Sequence, residues 1–368
     1  MSFGARALIR LGALAHNLEV LRSAAPDARV MAVIKAYAYG HGMVAVAQQL
    51  DAADSFAVAR LPEAQLLREA GIDKPIVLLA GVSTAEELQV AFAENIELVV
   101  HDIEQVRMLE RTGGTAGVVW LKFDTGMNRL GFRPDEAPQL LPRLEAASAV
   151  SELRLMTHFA SADELDNAAT EAQLDAFVPV TRNFPGAVSI ANSPASLGWP
   201  QVIDARSQLG FAGDFWIRPG IALYGISPFA DKTGRELGLK PVMQFEARLI
   251  AVKPLLAGAR VGYKGAYISE QDTTLGIVAA GYGDGYTRHF RCGTPVLING
   301  RRVPLIGNVS MDMIAVDLGQ GADDRVGDIA TLWGDDLPVE EVAPWADAIP
   351  PFAADRPSRD SEASRRGK

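Results

Sequence analysis

The chain has 368 residues, 48% of them hydrophobic, with a net charge of -10 and a pI near 5.1, so it is long enough for two domains and a large core. The acidic balance argues against a nucleic-acid or anionic-membrane surface, which is bound by excess Lys and Arg. Cys292 is the single cysteine, which excludes an internal disulfide and a cysteine metal cluster. The N-terminus carries no leader-like pattern and no apolar stretch reaches about 20 residues. The expected setting is therefore a reducing cytoplasm, without secretion or membrane spanning.

From residue 30 to about 225, short β-rich runs alternate with helical patterns. Predicted strands cover 30–35, 55–59, 75–80, 97–100, 118–124, 153–159, 187–192 and 216–221. Amphipathic segments such as 62–70, 85–93 and 104–110 lie between them, several opened by Asp, Ser or Pro where a helix cap belongs. Eight such strands predict an α/β fold built on a TIM-type (β/α)8 barrel over residues 1–232. The first ten or so residues are expected to pair with the domain that follows. After residue 232 helical periodicity gives way to β runs with Gly, Asp and Asn turns, predicting a mainly β domain over 233–349 with strands at 244–252, 274–279, 295–298, 313–317 and 328–333. Residues 350–368, rich in Pro, Ser, Arg and Asp, read as a disordered tail.

Chemistry-bearing residues cluster at the C-terminal ends of the predicted strands, where a TIM barrel places its active site. The first run ends on Lys35 and breaks into an aromatic, glycine-rich turn. Desolvation opposes a lysine's charge there, and an amine held near neutrality is a nucleophile toward an aldehyde, as in a Schiff base with pyridoxal phosphate. A lysine snorkelling its ammonium into water fits the same residues. Tyr39, in the turn before Gly40-His41-Gly42, could offer its hydroxyl to a phosphate or be an ordinary turn tyrosine. A second strand ends on Lys122, and the glycine turn after it presents Arg129, suited to clamping a carboxylate or phenolate but equally at home in a surface loop. His158 stands where a catalyst or a structural histidine would serve. Asn192-Ser193 and Arg218-Pro219-Gly220-Ile221 occupy the last two βα units, whose loops often hold phosphate. In the β domain, Gly281-Tyr282-Gly283-Asp284-Gly285-Tyr286 reads as a tight turn with packed aromatics, or as a setting for Tyr282 as an acid/base.

Together these segments resemble the alanine racemases, fold-type III pyridoxal phosphate enzymes, from about residue 5 to about residue 349. The lysine turn, Leu-Lys-x-Asp-Thr-Gly-Met-x-Arg-Leu-Gly, Thr-His-Phe-Ala, Arg-Pro-Gly-Ile-x-Leu-Tyr-Gly and Gly-Tyr-Gly-Asp-Gly-Tyr occur in the family's order. The resemblance implies a cytoplasmic homodimer with shared active sites, interconverting L-alanine and D-alanine for peptidoglycan synthesis or alanine breakdown. It makes Lys35 the cofactor-bound lysine and one catalytic base, and Tyr282 of the partner subunit the other. Tyr39, Ser193, Gly220 and Ile221 match phosphate-binding positions, and Asn192 adjoins them. Arg218 matches the arginine at the pyridine nitrogen and His158 the residue against the ring. Arg129 matches a residue near the substrate carboxylate, oriented in the family by a carbamylated lysine that would be Lys122. Met311 matches a residue whose backbone holds the substrate carboxylate, and Tyr263 a residue of the entrance. No metal, nucleic acid or membrane partner is implied.

Two positions depart from the family pattern. Tyr37 replaces a common Asn or Asp, and after Pro350 a Tyr-Glu-Leu-Leu-like helix gives way to Pro351-Phe352-Ala353-Ala354-Asp355. A cofactor-binding chain whose activity is lost with that altered end is one alternative reading, and a broader racemase that also accepts serine is another. A related decarboxylase of basic amino acids is disfavoured, because Arg218 stands where those enzymes place a carboxylate.

Overall fold

Alternation of side chains along short apolar strands decides the architecture. In the computed structural model, which describes residues 4–346, eight parallel strands close into a barrel in chain order. These are β2 (Arg29–Val33), β3 (Ser55–Val58), β4 (Ile76–Leu78), β5 (Ile96–Val100), β6 (Gly117–Lys122), β7 (Val150–Met156), β8 (Val188–Asn192) and β9 (Phe215–Arg218), following β1 (Arg6–Ile9). β9 returns to β2 through Arg29 opposite Trp216 and Val30 opposite Ile217. Met31, Val33, Val99 and Trp120 fill the interior, while their neighbours Val30, Ala32, Leu98, Val100, Val119 and Leu121 pack outward against the helices. This two-sided burial is why the strands read as continuous apolar runs.

The helices follow their caps and stripes. The helix Leu11–Ala24 buries Leu14, Leu18 and Leu21 on one face, and Thr84 and Asp102 cap the helices Ala85–Ala93 and Ile103–Arg111 by accepting from Glu87 N and Glu104 N. At the N-terminal end of the barrel an ionic cluster forms the floor. Glu97 accepts from Trp120 Nε1 at 2.7 Å and pairs with Arg154 at 3.1 Å, and the Arg154 guanidinium lies over the Trp120 and Trp216 rings.

The second unit comprises β10 (Met243–Leu255), a short hairpin of β11 (Arg260–Val261) and β12 (Tyr267–Ile268), then β13 (Thr273–Val278), β14 (Pro295–Ile298), β15 (Arg301–Ile306), β16 (Ile314–Asp317) and β17 (Ile329–Trp333). Strand order is β1-β10-β13-β16-β15-β14-β17, and β17 also pairs with β10, so six antiparallel strands form a ring of pairings. β1 joins this sheet, with Arg6 opposite Glu246 and Ile9 opposite Met243. β15 and the small hairpin escape a sequence reading, since β15 alternates exposed Arg301, Arg302 and Pro304 with buried Val303 and Leu305, and a proline argues against a strand. The strand predicted at 30–35 is corrected: β2 stops at Val33, and Lys35 opens a separate turn. The predicted tail at 350–368 lies outside the described residues. Among those described, no helix is long and apolar enough to cross a membrane.

Candidate active site

The turn after β2 is built from consecutive left-handed residues. Ala36, Tyr37, Ala38 and Tyr39 have φ of 52°, 54°, 57° and 52°. Left-handed backbone costs about 1–2 kcal/mol per non-glycine residue, so the turn must be held by its surroundings. Glu63 supplies one hold, accepting from Ala36 N at 2.7 Å with one oxygen and from Ala59 N and Arg60 N with the other. Gly42 N donates to Tyr37 O, and Gly40 N to Ala36 O. The turn projects Lys35 and Tyr39 into a cleft of about 910 Å³ at the C-terminal mouth of the barrel.

Lys35, Tyr39, Lys122, Arg129, His158, Asn192, Ser193, Arg218, Gly220 and Ile221 all line this cleft. Their strands explain the gathering, because β2, β6, β7, β8 and β9 all end at this mouth. At one side, the Ser193 hydroxyl accepts from Gly220 N at 2.9 Å and Ala222 N at 3.4 Å. A Cβ on Gly220 would lie 2.7 Å from the Tyr39 hydroxyl. The two hydroxyls and the Gly220 backbone thus form a cradle that any larger residue at 220 would fill.

At the opposite side, Arg218 is 4% exposed and donates to Ser189 Oγ and Thr157 O at 2.5 Å, and to His158 Nδ1 at 3.2 Å. Burial lowers the Arg218 guanidinium from its ordinary value, yet it stays cationic at neutral pH. Burial, then the charges of Arg218, Arg129, Lys122 and Lys35, push His158 well below the usual histidine range, so its ring is neutral and Nδ1 can accept. Lys122, 7% exposed, donates to Leu130 O at 2.6 Å. Burial and the Arg218 charge lower its amine to about 8.

Arg129 sits on a loop organised by Asp124. The Asp124 carboxylate accepts from Gly126 N, Asn128 N and Arg129 N; burial opposes its charge, but these bonds hold it below the usual carboxylate value. Gly131, at φ 125°, closes the loop where a Cβ would stand 2.7 Å from Asp124 N. Gln173 braces the loop and β7's exit together, donating to Thr125 Oγ1 and His158 O and accepting from Ala160 N.

Three expected residues do not line the cleft: Tyr282, Met311 and Tyr263. They belong to the β domain, where Tyr282 N donates to Ser310 O and Gly283 N to Met311 O, bringing Tyr282 and Met311 side by side. The Arg288 guanidinium lies 5.7 Å from the Tyr282 ring centre. Tyr286, from the same motif, is fully buried against Phe290 and Trp333 and serves the core. Met311 and Tyr263 are exposed by 52% and 74%, so this face of the β domain is uncovered within one chain.

Glu63, Gln173 and Ser189 carry no motif and are missed by a sequence reading, and Thr157 opens the Thr-His-Phe-Ala segment, where only the histidine suggests a role. Glu63 alone left a trace, as the third residue after Arg60 in a helix-capping pattern.

The alanine racemase N-terminal domain model matches residues 9–228, and the alanine racemase C-terminal domain model matches 242–354. The chain belongs to the alanine racemase family. It is 49% identical to alanine racemases of Vibrio parahaemolyticus and Yersinia pestis over 341 residues, 92% of each chain. Among solved structures, the biosynthetic alanine racemase of Pseudomonas aeruginosa superposes with a TM-score of 0.90 at 39% identity, covering 97% of this chain and 98% of that one. Alanine racemases depend on pyridoxal phosphate, and the residues of this cleft fit that group. The Ser193–Tyr39–Gly220 cradle suits its phosphate, Lys35 its aldehyde and Arg218 its ring nitrogen. The excess of cations suits a ligand bearing a phosphate and a phenolate.

Proposed function

We propose that this alanine racemase works as a homodimer with shared active sites, in which Lys35 and Tyr282 of the partner subunit exchange the Cα proton of alanine from opposite faces. The carrying observation is the separation within one chain: Lys35 faces the cleft, whereas Tyr282 and Met311 stand outside it on an uncovered face of the β domain. Inversion needs a proton removed on one face and returned on the other, hence two bases with independent supports.

Pyridoxal phosphate, when bound, supplies the electron sink that acidifies the Cα–H bond. The protein's residues do the rest. Lys35 Nζ anchors the cofactor and moves the proton on one face; Tyr282 Oη of the partner subunit holds it on the other. Tyr39, Ser193, the backbone of Gly220 and Ile221, and the neighbouring Asn192 hold the phosphate, with His158 against the ring. Arg218 keeps a hydrogen-bond donor, not a carboxylate, against the ring nitrogen, which disfavours protonation there and limits how far negative charge drains from Cα. Arg129 and the Met311 backbone of the partner subunit orient the substrate carboxylate, and Tyr263 of the partner subunit narrows the entrance. Lys122, about a tenth neutral at pH 7 given its value near 8, is competent to add carbon dioxide as a carbamate and so to orient Arg129. The proposed role is supply of D-alanine for peptidoglycan in the cytoplasm.

The test is Cα deuterium incorporation from D2O, followed by NMR with L-alanine, D-alanine and L-serine. Exchange with loss of optical activity for alanine is expected. A chain that binds pyridoxal phosphate without exchange would overturn the reading and mark a cofactor carrier.

A further inference from the structure

A second cavity of about 20 Å³ lies at the junction of the two domains, bounded by His41 and Tyr224 from the barrel and by Met243, Trp333 and Glu340 from the β domain and its C-terminal extension. Two polar atoms on lining side chains are buried without a protein partner, His41 Nε2 and Trp333 Nε1, on residues 3% and 4% exposed. The His41 tautomer follows from its other nitrogen. Nδ1 lies 2.8 Å from Tyr39 O and 3.0 Å from Ala38 O, and carbonyls only accept, so Nδ1 carries the proton and Nε2 is a bare acceptor. Trp333 Nε1 is donor only. A single water needs about 10–15 Å³ and several polar partners; the cavity has the volume, and two unpartnered polar atoms belong to side chains that line it. It would accept from Trp333 Nε1 and donate to His41 Nε2, with the Glu340 carboxylate available for its second proton.

His41 is also one end of a ring stack that reaches the cofactor cradle. Its ring lies 4.6 Å from that of Tyr224, which lies 4.8 Å from that of Tyr39, and the Tyr39 hydroxyl rests against Gly220. Burial lowers the His41 imidazole to about 4, which keeps it neutral and in one tautomer at working pH.

We infer that this cavity is a site for one structural water joining Trp333 to His41, and that His41 so held is a positioning residue for the Tyr39 phenol. The second half rests on Tyr39 holding the cofactor phosphate. The water transmits the β domain's docking to the turn, because its two partners come from the two domains and neither reaches the other directly.

The test uses the full chain labelled with 15N-histidine, with and without pyridoxal phosphate, the His41 signals being assigned by their loss in His41→Phe. The expected spectrum has Nδ1 protonated and Nε2 shifted as a hydrogen-bonded acceptor. Trp333→Phe, which retains ring contact with Phe245, is expected to move Nε2 toward the free-acceptor position. It should also raise the pyridoxal phosphate dissociation constant severalfold, while kcat at saturating cofactor stays within about twofold. In His41→Phe, which keeps the stack, the same constant is expected to rise about tenfold. A protonated Nε2, or a Trp333→Phe protein with unchanged histidine signals, overturns the water site. Unchanged cofactor affinity in both variants overturns the positioning role. Absence of racemisation in the unaltered protein would sink the proposed function and leave the histidine signals, readable without cofactor, to judge the water by themselves.

Discussion

Gly220 and Lys122 are the residues whose surroundings make the sharpest demands. A Cβ at 220 would stand 2.7 Å from the Tyr39 hydroxyl, and the Gly220 backbone, at φ -120° and ψ -89°, lies outside the α and β regions that other residues favour. Gly220→Ala should therefore cost about 1–3 kcal/mol of stability and swing the phenol out of the cradle. We expect the pyridoxal phosphate dissociation constant to rise about tenfold, measured by absorbance titration on the folded protein, with a lower melting temperature. Lys122 bears on stability through its proton. Its amine binds a proton less tightly folded, at about 8, than unfolded, at 10.5, so between those values the unfolded chain holds more protons and stability rises with pH. Urea unfolding at pH 8 and pH 10 should show this rise, on the order of 2 kcal/mol, and Lys122→Gln should remove it. If the slope survives the substitution, another group supplies it.

The left-handed turn shows how an element imposes a residue choice. Asn and Asp tolerate this backbone best among non-glycine residues, which accounts for their frequency in the family at the position held here by Tyr37. Tyr37 is 61% exposed, so it loses little by replacement. Tyr37→Asn should stabilise the chain by about 0.5–1 kcal/mol, read as a higher melting temperature; a decrease would mean that the ring is covered in the assembled protein. At the other end of the barrel, Glu97→Ala removes the acceptor of Trp120 Nε1 and one of the two carboxylates on Arg154, which keeps Glu152 as its partner. The expected loss is about 1–3 kcal/mol with turnover per folded molecule intact, since the floor and the cleft lie at opposite barrel ends. The apolar pattern announces all eight barrel strands but runs past several of their ends. Ile34, Phe123 and Phe159 are buried past the ends of β2, β6 and β7, because the loops over the mouth are packed as tightly as the strands beneath. The pattern therefore reports burial, and only the hydrogen-bond ladder marks where a strand stops. Likewise Lys35 and Arg218 are visible in the sequence because their charge is out of place in an apolar run, whereas Arg129 stands out only through the glycine turn that presents it. Glu63 and Gln173 are hidden because their work is to satisfy backbone groups whose positions only the fold creates.

For the whole molecule, shared sites predict complementation. A Lys35→Ala subunit and a Tyr282→Phe subunit should each be inactive as homodimers. In the mixed dimer one site loses both groups and the other regains both. Random reassociation makes half the dimers mixed, so about a quarter of wild-type activity should return after unfolding and refolding the two together. No recovery would place both bases on one chain. Such a dimer would be nearly silent in the sequence, whose periodicity describes how a chain packs on itself; exposed apolar side chains on the β domain, Tyr263, Met311 and Met313 among them, hint that something else covers them. One last property follows from β1, which pairs with a strand encoded far downstream. Arg6 meets Glu246 across 240 residues of intervening chain. At about 5–20 residues per second, the nascent first strand waits roughly 10–50 s for its partner to be synthesised, while the whole barrel emerges between them. The ribosome thus delivers the β domain in two instalments, and its closure clocks the completion of the chain.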